Sequence, residues 1–460
     1  MRLKDNVGIV IIMLAFICAN ALFISLYKDV WWDSSVYISM GKYIFSLGKS
    51  GLWEESRPLI FPFILGIGWK LGFDAIYFAR IVSVIFAVLT IFMTYAIGLK
   101  LFSRKIGLLA AFFTAFSFNF LFFSSNILTE IPSTFFALLA FYFFSSDRFF
   151  LMGLFSGIAV MTRFFQVFVL FGVYLIFLVY FYKKPDFHKK LFYAALGFLL
   201  PVALYLLINH TLYSDMLLPY KTQSYLTKTT GWVMYREYWF YFSGLLKENF
   251  FLMSLLFLPF AFKRNHAFYA ASLPPLIYIV IFSLVKHKEM RFMLLVLPFL
   301  CLLASYCLLE IYKKIRYKRT ALALFCIMCL FWISTVFQSF SEVNYSLQAD
   351  DEGFSHLQNY IKSDKGNVWI TNPLYALHSD AKISGLLYSS RQMADFISKN
   401  KESADTVLFN NCDIPCPSAK IDPLCEGNVK MLQSILANFK KVYEKEKGSC
   451  RYKIYNRVTS

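Results

Sequence analysis

The sequence predicts an α-helical polytopic membrane protein of about eleven spans, followed by a small C-terminal α/β domain outside the cytoplasm. Three observations predict it. Hydrophobic residues make up 58% of the 460 and charged residues only 16%, where soluble domains run near 45–50% and about 25%. Mean hydropathy is +0.55. The net charge of +18 is uneven: residues 1–340 hold 31 Lys and Arg against 14 Asp and Glu, whereas residues 341–460 hold 15 against 14. A pI near 9.3 raises nucleic acid as a partner. The excess lies between apolar runs, however, as in the cytoplasmic loops of membrane proteins, so nucleic-acid binding is excluded.

A span needs roughly 20 mostly apolar residues. Val7–Tyr27 follows a basic start, lacks a small-residue cleavage site and reads as a span rather than a signal peptide. Pro58–Gly72 is apolar but short and interrupted by Pro58, Pro62 and Lys70, which suits an interfacial or re-entrant helix. Further spans are expected at Ile76–Leu99, Ile106–Phe123, Leu128–Phe144, Phe149–Met161, Phe164–Tyr182 and Leu191–Ile208. The last four are Phe250–Phe262, Ala267–Val285, Phe292–Tyr312 and Ala321–Gln338. With the N-terminus in the cytoplasm, the loops on that side hold 17 of the 31 Lys and Arg of residues 1–340, as the positive-inside rule requires. The expectation is thus a multi-pass protein of the cell membrane. Its spanning domain covers 1–340, with a first outer loop at 28–75 and a second at 209–248 lying over the site. The soluble domain, 341–460, is extracytoplasmic.

Within the tail, Asn367–Thr371 and Thr406–Phe409 read as short buried strands and Cys450–Asn456 as a final strand. Ser390–Asn400 and Val429–Lys445 read as helices. Cys412, Cys416, Cys425 and Cys450 are an even set suited to one or two disulfides in an oxidising space. The C-x3-C spacing of Cys412 and Cys416 also fits zinc, but no His lies nearby. No Gly-rich phosphate loop precedes a helix in the tail.

The ionisable residues expected at the outer membrane edge come from separate parts of the chain. They are Asp33 and Tyr37 in Trp31-Trp32-Asp33-Ser34-Ser35-Val36-Tyr37, then Glu54, Glu55 and Arg57, then Arg80, Glu130 and Arg163. The run Lys286-His287-Lys288-Glu289-Met290-Arg291 completes the set. A charge near hydrocarbon is costly unless paired or wet, and by default marks a functional site. Plainer readings stand beside this one. Asp33 either caps a helix over Ser35–Ser46 or carries chemistry; Glu54 and Glu55 are adjacent, and at least one reads as a solvated loop carboxylate. Arg80 and Arg163 either snorkel or bind. Guanidinium and ammonium groups at this depth suit a lipid phosphate. A nearby carboxylate suits a general base for an attacking hydroxyl. With a single base opposite the leaving group, attack at a sugar carbon inverts its configuration.

These residues resemble the polytopic GT-C glycosyltransferases, the superfamily of dolichyl-phosphate-mannose mannosyltransferases and aminoarabinose transferases. The resemblance runs through Asp33 with Tyr37, Arg57-Pro58-Leu59 with Pro62, Ala79-Arg80-Ile81-Val82-Ser83, Leu128-Thr129-Glu130-Ile131-Pro132 and Thr162-Arg163. It ends on His287-Lys288-Glu289-Met290-Arg291-Phe292, which looks like an HKExRF signature. It implies a GT-C fold, with Asp33 as catalytic base and Arg57, Arg163, His287, Lys288 and Arg291 holding donor phosphate. Tyr37, Glu55, Arg80, Glu130 and Glu289 are the expected substrate-binding residues. The expected reaction is inverting transfer of mannose or a related hexose from a polyprenyl- or dolichyl-phosphate to an acceptor glycan, lipid or protein. No cofactor is expected to be required, metal dependence being left open; membrane lipid is an expected partner and nucleic acid is not. The competing readings are a transporter or lipid-glycan flippase, and a ligase or polymerase using a diphosphate-linked donor.

Overall fold

The computed structural model describes residues 6–26, 30–229, 236–257, 266–285, 287–341, 367–387, 404–414, 416, 423–447 and 450–457. In chain order the first helices are α1 (Val7–Leu26), α2 (Trp32–Phe45), α3 (Ile60–Lys70), α4 (Ala75–Leu101), α5 (Arg104–Phe116) and α6 (Phe118–Ser124). Next come α7 (Glu130–Phe144), α8 (Phe149–Thr162), α9 (Gln166–Phe181), α10 (Phe187–Tyr213), α11 (Leu218–Thr229) and α12 (Phe240–Glu248). A 3-10 stretch, Phe250–Phe257, precedes α13 (His266–Leu284), and a second, Met290–Leu295, precedes α14 (Leu297–Lys314) and α15 (Lys318–Ser341). The chain forms two compact units. One comprises Met1–Lys28, Ile81–Leu207 and Tyr235–Val343; the other comprises Asp29–Arg80, Ile208–Met234 and Asn344–Ser460. The first outer loop, expected with the spans, thus belongs to the same unit as the tail.

The first unit is helical. Among the described residues five helices are long and apolar enough to cross a membrane: Val7–Ser25, Ala75–Leu101, Phe187–Tyr213, Ala267–Leu284 and Lys318–Val336. The bent pair α5–α6 makes a sixth if taken as one span, its helices meeting at 63°. Helices α7, α8 and α9 sit where spans were expected but have only 14–16 residues, about 21–24 Å of rise against a hydrocarbon core near 30 Å. Two expectations need correction. Phe250–Phe262 is no α-helical span, because Phe250–Phe257 is wound as a 3-10 helix and 258–262 lie outside the described residues. Phe292–Tyr312 is broken at Val296, the N-cap of α14, whose Pro298 at the helix start has no N–H to continue the preceding ladder. The division at Arg163 stands: it is the extended C-cap of α8, at φ −153 and ψ 117.

Two devices pack this unit. Gly153 of α8 and Gly197 of α10 let backbones touch: a Cβ on either would fall 2.0 Å from the Ala194 oxygen or 2.1 Å from the Phe150 oxygen. Small residues of this kind drive close helix packing in lipid, where apolar surface alone does not. Aromatic stacking supplies the second device, with Phe113 and Phe251 centroids 3.9 Å apart and Trp332 set edgewise against both.

The second unit is built on a sheet, five-stranded among the described residues. In chain order it runs β1 (Asn367–Ile370), α16 (Leu374–Leu377), β2 (Lys382–Leu386), β3 (Thr406–Asn410), α17 (Cys425–Leu436), β4 (Phe439–Lys447) and β5 (Cys450–Arg457). Strand order is β2-β1-β3-β5-β4, with β1 parallel to both neighbours and β5 antiparallel to β3 and β4. The period-2 alternation of the strands sorts the core. Val368, Ile370 and Leu408 face one side, packed with Val36 and Met40 of α2 and with Leu52. Trp369, Val407 and Phe409 face the other, packed with Leu432 and Leu436 of α17. The three strands expected in the tail are present, but Val429–Lys445 is not one helix: α17 ends at Leu436 and β4 begins at Phe439. There, Lys441, Glu444 and Lys445 occupy an edge strand, where charge discourages further pairing. Ser390–Asn400 lies outside the described residues. Two disulfides, Cys412–Cys450 and Cys416–Cys425, use all four tail cysteines.

Behind the carboxyl ends of β1 and β3, Asp413 accepts from Thr371 Oγ1 at 3.0 Å and Asn372 Nδ2 at 3.1 Å. Burial pushes its carboxyl up to about 6, against the opposing hydrogen bonds of Asn372, Thr371 and Asn410. A raised carboxyl binds its proton more tightly folded than unfolded. Its protonation therefore stabilises this unit as pH falls through 6 toward the ordinary value of 3.8, and that stabilisation is lost above 6. It is worth roughly 3 kcal/mol at most. Unfolding followed between pH 4 and pH 7 should show the wild type gaining more on acidification than Asp413→Asn; parallel pH profiles would contradict the assignment.

Candidate active site

The second unit places Asp33 in the first turn of α2, with Trp31 as the N-cap and no side-chain cap bond. The helix thus starts at Trp32, not at Ser35, and Asp33 is not its cap residue. An acid one turn inside a helix N-terminus is favoured by the helix dipole. Its carboxylate is held by Arg57, whose Nη2 lies 2.7 Å from Asp33 Oδ1. Arg57 Nη1 donates to the Tyr37 hydroxyl at 3.3 Å, and the guanidinium sits 5.4 Å from that ring. Asp33 and Tyr37 are four residues apart and so share one face of α2, which the planar guanidinium reads with two of its donors. Its third interaction is Nε to Glu54 Oε1 at 3.1 Å, and Ser56 Oγ donates to the same oxygen at 2.6 Å. Glu54 is 5% exposed. The sequence reading sets it beside Glu55 but gives the binding role to Glu55; the signal that favours Glu54 as the partner is its i,i+3 spacing to Arg57.

Glu55 turns elsewhere, accepting from Thr222 of α11 at 3.0 Å, while Trp53 Nε1 donates to the Tyr213 hydroxyl at 2.6 Å. These two bonds tie residues 208–229 to the first loop within this unit. Arg80 is buried on α4 in the same unit.

The first unit gathers the other charged candidates. Glu130 opens α7 and is 1% exposed. Arg163 Nη2 lies 3.1 Å from Glu130 Oε1, and Arg291 Nε lies 3.6 Å from the same oxygen. Arg163 Nη1 also donates to Thr129 Oγ1 at 3.0 Å. Its guanidinium stands 5.4 Å from the ring centres of both Phe165 and Phe292, within reach of a cation–π attraction that helps hold the group. Arg291 grips Glu289 with Nε at 2.8 Å and Nη2 at 3.0 Å, and His287 Nε2 lies 2.8 Å from Glu289. Burial pushes the Glu289 carboxyl up, but the His287 hydrogen bond and the Arg291 charge outweigh it and hold the group below its ordinary range. Lys288 is 2% exposed and spends its ammonium on backbone oxygens, Val285 at 2.5 Å and Arg236 at 3.1 Å. Lys286 lies outside the described residues.

The structure therefore brings Asp33, Tyr37 and Arg57 together in one unit and Glu130, Arg163, His287, Glu289 and Arg291 together in the other. Lys288 adjoins the second group and Glu55 stands apart from Arg57. Leaving His287 aside, Arg163, Lys288 and Arg291 exceed Glu130 and Glu289 by one positive charge. Among the described residues no His, Cys, Asp and Glu are grouped to hold a metal ion.

A helical bundle with apolar spans, an α/β unit and paired charges drawn from distant loops fits a multi-pass membrane protein of the GT-C glycosyltransferase class. The sequence pattern of the Alg9-like mannosyltransferase family matches residues 10–380. The chain belongs to that family and is a glycosyltransferase. Among curated proteins none matches it significantly in sequence. Its fold is similar to that of ArnT from Cupriavidus metallidurans bound to undecaprenyl phosphate, at a TM-score of 0.70 and 9% identity over 99% of both chains. It is also similar to the oligosaccharyltransferase AglB from Archaeoglobus fulgidus in complex with an inhibitory peptide and a dolichol-phosphate. There the TM-score is 0.59 at 11% identity, over 98% of this chain and 74% of that one. The mycobacterial arabinofuranosyltransferase AftD gives 0.55 at 12% identity over 97% and 41%.

Glu130→Gln removes the carboxylate that Arg163 and Arg291 share. It should lower stability in detergent by about 3–5 kcal/mol, the usual effect of breaking a buried ion pair; an unchanged unfolding midpoint would refute that shared role. Asp33→Asn should leave the fold intact and cut transfer about 10²–10⁴-fold. Retained turnover would remove Asp33 from the reaction.

Proposed function

We propose that the protein transfers mannose or a related hexose, with inversion, from a polyprenyl- or dolichyl-phosphate donor to an acceptor hydroxyl on the extracytoplasmic side. Asp33 takes the proton from the attacking hydroxyl, and Arg57 fixes the direction of its carboxylate. As the hydroxyl oxygen bonds to the anomeric carbon, that carbon's bond to the phosphate oxygen breaks. The lipid phosphate leaves with the electron pair, and its charge rises from minus one toward minus two.

The observation that carries this reading is the cluster of Glu130, Arg163, Glu289 and Arg291 with the adjoining Lys288, whose three cations exceed its two carboxylates by one. A phosphodiester-linked sugar is a monoanion, which such a cluster matches; a diphosphate-linked glycan brings one more negative charge. Charge developing on the leaving phosphate is then stabilised by groups already oriented by their carboxylates and phenyl rings. Family membership and the lipid phosphates bound by ArnT and AglB support the same donor class. The two tail disulfides support an extracytoplasmic tail, because disulfides persist in oxidising spaces. The positive-inside loops support a cytoplasmic N-terminus.

Purified protein should move labelled hexose from a polyprenyl-phosphate to a component of a membrane extract. Arg291→Ala should weaken donor affinity roughly ten- to hundredfold, the scale of a lost hydrogen bond to a charged group. Unchanged donor affinity would contradict the phosphate role.

A further inference from the structure

The tail reads as an appendage in the sequence, yet the helix bearing Asp33 is built into it. Val36 and Met40 of α2, with Leu52 just beyond, complete the hydrophobic face of β1, β2, β3 and β5, and Trp32, Trp53 and Leu59 pack against that core. The loop after α2 extends the sheet: Ile383 N–H donates to the Gly51 oxygen at 3.0 Å and Gly51 N–H to the Ala381 oxygen at 3.3 Å. Gly51 has φ +84, and a Cβ there would fall 2.2 Å from the Ser39 oxygen of α2, so only glycine lets strand edge and helix approach this closely.

Lys42 closes the arrangement. It lies in the last turn of α2 and is 4% exposed. Its ammonium donates to the carbonyl oxygens of Leu377 at 2.7 Å and of Ala376 and Ser379 at 3.4 Å each. Asp380, on the solvent side, is 3.7 Å away and its side chain is 79% exposed. Three donors thus meet three backbone oxygens at the C-terminal end of α16, two within the helix and one just past it. A buried ammonium is costly unless satisfied in this way, so α2 cannot slide or rotate against the sheet without leaving the charge unpaired.

We propose that Lys42 is a positioning residue for Asp33, and that the C-terminal α/β domain is thereby a working part of the active site. The inference rests on Asp33 being the base. One end of α2 carries the carboxylate and the other is pinned to α16, so the pin sets the angle at which the carboxylate meets the acceptor. Displacing a reacting group by about 1 Å can cost roughly a hundredfold in rate.

The test uses the full-length protein in detergent with a polyprenyl-phosphate hexose. Lys42→Met should lower kcat roughly 10- to 100-fold while donor KM stays within about twofold. Lys42→Arg, which keeps the charge and the donors, should recover part of the loss, and Asp380→Asn should stay near wild type. If Lys42→Met does not fold, Lys42→Gln, whose amide still donates, carries the same expectation at smaller size. Wild-type kcat in the folded neutral variant, or a loss confined to donor KM, would overturn the proposal. Hydrogen exchange separates this failure from that of the parent reading. Lys42→Met should speed exchange in 30–45 and 374–386 but not in 287–300 even if the wild type transfers nothing, and unchanged protection of 30–45 would overturn the coupling by itself.

Discussion

The structure depends on one constraint: an ionised group held out of water must be met by an opposite charge or by hydrogen bonds. Glu130, nearly inaccessible at the head of α7, satisfies it with two guanidiniums drawn from the ends of other elements, Arg163 after α8 and Arg291 before α14. Glu289 satisfies it with Arg291 and His287, and Lys42 does so chiefly with backbone oxygens, with the exposed Asp380 beyond them. Each pairing fixes a loop that the helices themselves leave undetermined. The same desolvation that makes the pairs obligatory strengthens their electrostatics, so the side chains proposed to act on a phosphate are also ones that hold the fold.

Function follows from how these pairs are apportioned. The α/β unit contains Asp33, the proposed base, with Arg57 reaching it from the loop after α2 and its helix anchored to the sheet. The helical unit contains the cationic group, whose carboxylates cancel all but one of its charges. A site with many uncompensated cations would bind any polyanion. In the proposed reaction, one with a single excess charge and oriented guanidiniums would discriminate by charge number and stabilise the extra charge that appears only as the donor bond breaks.

Long apolar runs made the membrane fold legible, because hydrocarbon requires backbone groups to be satisfied within the helix. Strands of the tail were legible as short apolar runs, as in Val368, Trp369 and Ile370, or by alternation, as in Cys450–Asn456. The missed elements share a cause. Phe250–Phe257 has the composition of a span, and hydropathy does not distinguish 3-10 from α winding. At 439–447 the charged edge strand lacks the alternation that marks a buried one, so it read as a continuation of α17. Lys382–Leu386 was not read as a strand either, since Ser384 and Gly385 dilute its pattern. For the site, residue types and order were visible, and Asp33, Tyr37 and Arg57 do come together. Partner choice was not visible: Glu54 rather than its neighbour Glu55 meets Arg57, and Lys288 turns to backbone. Lys42 was hidden because its partners lie more than 330 residues away and are carbonyl oxygens, which any sequence can supply.

The central claim is a direct displacement at the anomeric carbon of a lipid monophosphate sugar. The most direct measurement is the anomeric configuration of the product formed by purified protein from a donor of defined configuration, read by NMR, with monophosphate- and diphosphate-linked donors compared in parallel. The account predicts product of opposite configuration from the monophosphate donor and none from the diphosphate donor. Product of retained configuration, or transfer from the diphosphate donor alone, would contradict it.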